Sequence, residues 1–387
     1  MSEYQYYEFQ AIDRPLIREE MRTLRGISSR ATITPGRFVN EYNWGSFKGN
    51  AFQLMELYFD AFLYFANWGT HELMLRLPSR VLDAKTAGLY CPGDLASSSV
   101  RGDHVILAFT SEDEGADWLG EDDGVLASIL PVRAEIASGD HRALYLGWLL
   151  YALTEGAEDH ETEPPVPPGL GELTAAQEAF ADFLRIDDDW IAAAAELSPA
   201  MRAEPDGEQV RAWVAALGEA EKTDLLVRVA RGEGGLVAAE LTARMRARLG
   251  APAGASAPRT VGELREAAER RAEERSRAAA ERAAREKARK DAEMAAARER
   301  YLDGLAGMER EMWAKVEEMI ATKQPKRYDE AVALLVDLRD LGARDGRAEE
   351  VLARIEEIRV RHEKKPSFLQ RLAKAIPPRP VLFGEIR

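Results

Sequence analysis

Cysteine is nearly absent from this chain of 387 residues: Cys91 stands alone. One thiol excludes an intramolecular disulfide and any cysteine-rich zinc site. Histidine is almost as scarce, and His71, His104, His141, His160 and His362 are scattered, with no two at metal-ligand spacing. No apolar run approaches the roughly 18 residues a membrane span requires. The start, rich in polar and aromatic residues, does not resemble a signal peptide, so the expectation is a cytoplasmic protein. The P-loop, G-x-G-x-x-G, G-x-S-x-G and H-E-x-x-H are all missing, which weighs against the commonest enzyme classes. No nucleophile, base and orienter set emerges, so no catalytic, cofactor-binding or metal residue is assigned, and no cofactor is expected.

Positive charge is also in deficit. The net charge of −15 argues against general affinity for nucleic acid or anionic lipid. Glu112, Asp113, Glu114, Asp117, Glu121, Asp122 and Asp123 crowd one stretch, and Asp187 to Asp189 form another. Neither has an EF-hand register, so both read as solvated acidic loops.

What the chain has in abundance is a run of Ala, Glu and Arg/Lys from Thr260 to Arg300. These residues have high helix propensity, and no Pro or Gly interrupts them after Gly262. Thr260 and Glu263 form a capping box that marks the start. Glu266, Glu273, Glu281 and Glu286 each precede an Arg or Lys by four residues, together contributing about 1–2 kcal/mol. A continuous helix would span on the order of 55–60 Å. Between Leu264 and Met294 the only apolar side chain is Ala, so no coiled-coil seam exists, although the Ala stripe leaves a homo-oligomer open. Arg and Glu alternate too closely to release counterions from a phosphate backbone. The pattern predicts a solvated spacer helix.

Periodicity organises the rest. Tyr4 to Ile12, Thr70 to Pro78 and His104 to Ser111 read as strands. Pro15 and Glu19–Glu20 open a helix carrying Leu16, Met21, Leu24 and Ile27. Thr34-Pro35-Gly36-Arg37 suits a turn that splits Ala31 to Trp44 into two short strands. From the Asn50 cap, Phe52, Met55, Phe59, Phe62, Leu63 and Ala66 recur at helical spacing, predicting one buried helix through Ala66. The order strand, helix, strand, strand, helix, strand is that of a ferredoxin-like α+β sandwich with helices on one face of an antiparallel sheet. Thr174 with Gln177 caps a later helix, and shorter helices follow to Leu249. Leu302 to Ile320 continues the charged helix without a break, with Gly304 and Gly307 as weak points. Tyr328 to Leu341 and Ala348 to His362 complete a helical hairpin.

The expected organisation is therefore an α+β domain over 1–155, a Pro-rich linker over 156–172, a small helical region over 173–250 and a flexible linker over 251–259. The charged helix over 260–300 and a C-terminal helical hairpin over 301–387 follow. Tyr328, Ala331, Leu335 and Leu338 have the spacing of the second helix of a TPR-type hairpin.

The stretches EFQAIDRPL, NWGTHELMLRLP, LYLGWLLYAL, PPVPPGLGEL and KKPSFLQRL resemble those of a group of uncharacterised proteins from high-GC bacteria. The tail from Tyr328 to Leu372 is similar to one that follows the zinc module in some SWIM zinc-finger proteins. The module's Cys ligands are missing here, so the resemblance implies no zinc or nucleic-acid role.

Aromatic residues supply the candidate interaction surface: Tyr42, Trp44, Trp68 and the Tyr4 to Tyr7 cluster fall near element ends. Trp and Tyr are enriched at interaction hot spots, while packing into the core is the competing account. The reading is a protein-binding or scaffold protein with an unidentified protein partner; an enzyme or small-ligand effector using the N-terminal domain is the alternative.

Overall fold

The computed structural model describes residues 3–113, 124–153, 157–201, 205–248 and 258–378. The acidic stretch from Glu114 to Asp123 and the small-residue stretch 251–257 lie outside the described residues. The chain divides into two compact units, Met1–Ser276 and Arg277–Arg387.

The first unit is built on a seven-stranded antiparallel sheet. Its elements are β1 (Gln5–Gln10), α1 (Arg18–Ile27), β2 (Thr32–Ile33), β3 (Arg37–Tyr42), α2 (Ala51–Leu57), β4 (Ala61–Ala66), β5 (Thr70–Pro78), α3 (Ala84–Tyr90), β6 (Ala96–Arg101) and β7 (His104–Glu112), in the order β2-β3-β1-β4-β5-β7-β6. The turn at Pro35 and Gly36 does split β2 from β3, as its chemistry predicts.

The helix expected from Asn50 through Ala66 is corrected. Asn50 caps it by accepting from the Gln53 amide at 2.9 Å, but it ends at Leu57, and the chain re-enters the sheet as β4. All six residues of β4 are buried. Phe62, Tyr64 and Ala66 join one core while Ala61, Leu63 and Phe65 join another. A strand covered on both faces loses the apolar–polar alternation that identifies a half-buried strand.

The same fact corrects the expectation of helices on one face. Leu24 of α1 with Leu54 and Met55 of α2 packs on Phe9, Phe38 and Phe62. The opposite face, through Leu63, Leu73, Leu75 and Leu107, is covered by α4 (Val125–Ile129), α5 (Pro131–Ala137), α6 (Arg142–Leu153), α7 (Ala175–Leu184) and α8 (Asp188–Ala195). Helix α6 is apolar all round and almost wholly buried, as such a composition requires.

The Pro-rich stretch read as a linker belongs to this unit. The Pro165 carbonyl accepts from Tyr90 Oη at 2.7 Å, the Pro167 carbonyl from Ser198 Oγ at 2.7 Å, and the Glu163 amide donates to the Arg259 carbonyl at 3.0 Å. Its polar backbone is thus satisfied by the surrounding helices. Helices α9 (Gly207–Ala215), α10 (Glu219–Arg228) and α11 (Gly234–Arg248) follow, with a kink at Gly232, whose φ is 96°.

Helix α12 (Val261–Ala306) begins at the predicted capping box: the Glu263 amide donates to Thr260 Oγ1 at 3.2 Å, and the Thr260 amide donates to Glu263 Oε2 at 2.8 Å. Its first turns bury Val261, Leu264, Ala267 and Ala268 in the core of the first unit. Residues 273–297 are exposed, as their lack of large apolar side chains dictates. Of the anticipated pairs, Glu286–Lys290 closes at 3.1 Å and Glu281–Arg285 at 4.0 Å.

The expected unbroken passage into the next helix is also corrected: α12 stops at Ala306, and α13 (Glu309–Ala321) starts after Gly307 and Met308. Glycine disfavours a helix interior by about 1 kcal/mol, and here the break falls at it. In the second unit α14 (Pro325–Arg344) packs against α13, α15 (Ala348–Arg361) and α16 (Pro366–Ala375). Helix α16 was not anticipated beyond the hairpin, yet it buries Phe368 and Leu372 beside Val316, Leu335 and Ile355. Burying each such side chain stabilises by about 1.5–3 kcal/mol. Among the described residues, no helix is long and apolar enough to cross a membrane.

Candidate functional site

Sheet register brings the three singled-out aromatics to one end of the first unit. Gln5 at the start of β1 faces both Tyr42 at the end of β3 and Ala66 at the end of β4. Trp44 follows β3, and Trp68 sits in the β4–β5 turn, where Gly69 takes a φ of 98° that favours glycine. Trp44 is 66% exposed and Trp68 41%. The Arg30 guanidinium already lies 4.8 Å from the Trp44 ring centre, a cation–π contact. Tyr42 behaves differently: it is half-buried, accepts from Asn40 Nδ2 at 2.6 Å and meets Tyr7 edge-on at 5.8 Å. In the Tyr4 to Tyr7 cluster, Tyr6 is buried and stacked on Phe65 at 5.1 Å, so it is core.

Beside this end, one sheet face carries Tyr7, Tyr64 and Glu72. The Tyr7 ring is 4.6 Å from Tyr64, and Glu72 faces Tyr64 across β4–β5. Burial, with a smaller push from Glu112, raises the Glu72 carboxyl above its ordinary range; burial also pushes the Tyr64 phenol up to about 12. Among the described residues no cation pairs with Glu72.

The remaining buried charges are tied into the scaffold. Asp60 accepts the Ile12 and Asp13 amides at 2.6 and 2.9 Å on one oxygen, and Arg76 Nη2 at 2.8 Å on the other. Arg133 adds Nη2 to Asp13 Oδ2 at 2.7 Å and Nε to the Arg76 carbonyl at 2.7 Å. Every charge there has a partner, which marks a structural clamp joining β1, β4, β5 and α5. His71 is equally structural: it is buried, stacked on Phe183 at 4.7 Å and hydrogen-bonded on both nitrogens. His104, His160 and His362 each lie beside an acidic side chain. Cys91 is buried at the end of α3, and desolvation raises its pKa to about 12.

His141 is the exception. It opens α6 and faces a cavity of about 220 Å³ whose lining includes Tyr90, Asp140, Pro165, Val166, Met201 and Arg246. Burial holds its imidazole below the ordinary histidine pKa, hence neutral at pH 7. Sequence reasoning missed this site because its parts come from α3, α6, α11 and the Pro-rich stretch. No sequence spacing links them. Among the described residues no group of three or more His, Cys, Asp or Glu could hold a metal ion. No family model, curated protein or solved structure matches the chain.

Proposed function

We propose that this is a protein-binding scaffold that engages a basic partner through the sheet end bearing Trp44, Trp68 and Tyr42. The observation that carries the reading is the coincidence, at one end of the sheet, of two exposed tryptophans and a half-buried carboxylate, Glu72, that pairs with no cation among the described residues. Exposed indoles anchor interfaces, and their faces attract guanidinium and ammonium groups. Glu41 and Glu112, both exposed at the same end, add negative charge. A partner presenting Arg or Lys therefore fits better than an acidic one.

The second unit would supply a separate binding surface, reached through the solvated part of α12. In fold terms the first four strands are read as a ferredoxin-like unit, a reading supported by their β-α-β-β-α-β connectivity and the order β2-β3-β1-β4. The TPR-like reading of the second unit is supported by the packing of α14 against both α13 and α15.

Affinity capture from the native host tests the two-surface scheme. A partner recovered by the full chain should be lost, or one of two partners lost, on deleting residues 301–387. An unchanged set of partners would sink the contribution of the second unit. A second reading, a small-ligand effector, is favoured by the cavity beside His141.

A further inference from the structure

The cavity beside His141 contains a guanidinium without an ion-pair partner and an imidazole without a hydrogen-bond partner among the described residues. Arg246 donates Nη1 to the Ser138 carbonyl at 2.8 Å, and among the described residues no carboxylate lies within ion-pair distance of it. Asp140, which lines the same cavity and feels the Arg246 charge, is already engaged: Arg142 reaches its Oδ2 through Nη2 at 2.7 Å and its Oδ1 through Nε at 3.1 Å. The His141 ring has no hydrogen-bond partner among the described residues, and its neighbour Tyr90 has committed its hydroxyl to the Pro165 carbonyl. The rest of the wall is Gly139, the Arg142-bound Asp140, prolines, Val166 and Met201.

A guanidinium with no ion-pair partner among the described residues and a neutral imidazole, facing one largely apolar cavity, limit what it can hold. A cation would be repelled by Arg246. A neutral apolar molecule would cover a half-buried guanidinium whose one hydrogen-bond partner among the described residues is the Ser138 carbonyl, which is costly. A phosphate dianion would bring more charge than one guanidinium neutralises. A carboxylate on a short apolar body satisfies all three features. Its oxygens take the planar donors of Arg246 and the N–H of His141, and its hydrocarbon part lies against the prolines and Met201.

We propose that the cavity formed by Tyr90, His141, Pro165, Met201 and Arg246 is a binding site for a small organic monocarboxylate. The site is distinct from the aromatic sheet end and does not depend on the reading given to that surface. The same chemistry could be delivered by a free acid or by the C-terminal carboxylate of a peptide.

The full chain, titrated with isovalerate and with benzoate, provides the test, read by calorimetry and by the imidazole resonances of His141. Binding that shifts those resonances is expected, with isopentylamine and benzylamine inert as shape-matched controls of opposite charge. Arg246→Gln should weaken binding at least about tenfold, and Arg246→Lys should retain part of it. Thermal unfolding of both variants shows whether either has lost the fold; if Arg246→Gln has, the Lys variant and the amine controls still decide. A valine-terminated tripeptide and its amide separate the two sources: only the free-acid peptide should compete if chain termini enter. The proposal is overturned if neither carboxylate perturbs His141 at millimolar concentration, or if the amines bind as well as the acids. Equal affinity in a folded Arg246→Gln variant would overturn it too.

Discussion

Arg185 donates Nη2 to the Nε2 of His71 at 2.9 Å, while the other ring nitrogen of His71 donates to the Phe183 carbonyl at 2.6 Å. Arg185 caps α7 in the left-handed region, with a φ of 57°, and sends Nη1 to the Gly69 carbonyl at 2.7 Å. The pair therefore docks α7 onto the β4–β5 turn, and it works only while His71 is neutral.

Stability should consequently fall in mild acid. Burial lowers the pKa of His71 and of His141 in the folded state. The unfolded chain then binds more protons, so the contribution is complete above the ordinary histidine value of about 6.5 and is lost as pH falls from there toward the folded pKa. Urea midpoints between pH 7.5 and 5 should decline, and His71→Gln should flatten part of that slope. Identical slopes for the two proteins would remove His71 from the account.

The clamp around Asp60 should be costly to break. Asp60→Ala leaves Arg76 buried with no carboxylate on its Nε and Nη2, and Ile12 and Asp13 lose their amide acceptor. Removing one partner of a buried pair typically destabilises by about 3–5 kcal/mol. Denaturant titration should show a loss of that order; a loss below about 1 kcal/mol would class the pair with surface bridges.

Cys91 should resist thiol reagents. With its pKa raised to about 12 by burial, almost none of it is thiolate at pH 8. Reaction with an aromatic disulfide reagent should be slow in buffer and should complete only as denaturant unfolds the first unit. Prompt labelling of the native chain would contradict the placement of Cys91 in the core.

Two glycines should respond in opposite directions to alanine. A Cβ at Gly147 would run into the Phe109 ring where α6 crosses β7, so Gly147→Ala should destabilise by about 1–3 kcal/mol. Gly304 sits in α12 with open space where a Cβ would go, so Gly304→Ala should stabilise by about 0.5–1 kcal/mol. Thermal unfolding of the two variants checks both signs.

Helix starts were the most legible features, because a capping side chain is local chemistry: Asn50, Thr174 and Thr260 all cap where their sequences place them. Strand β4 was illegible for the opposite reason, since burial on both faces removes the alternation that separates strand from helix. The serine-rich β6 and the short α3 gave weak periodic signal and were not anticipated. At the candidate surface, Trp44 and Trp68 stood out by residue type, whereas their position at one sheet end depends on register. His141 and Arg246 meet only through tertiary packing, so nothing in either local sequence points to the other.

A Trp44→Ala/Trp68→Ala double variant of the full chain probes the sheet end as a docking surface. Both rings are exposed, so the variant should unfold at nearly the wild-type midpoint. Affinity capture of a basic partner should be lost in the variant and, for the wild type, should weaken as salt is raised. Equal capture by the two proteins, at the same salt and with the fold intact, would contradict the account.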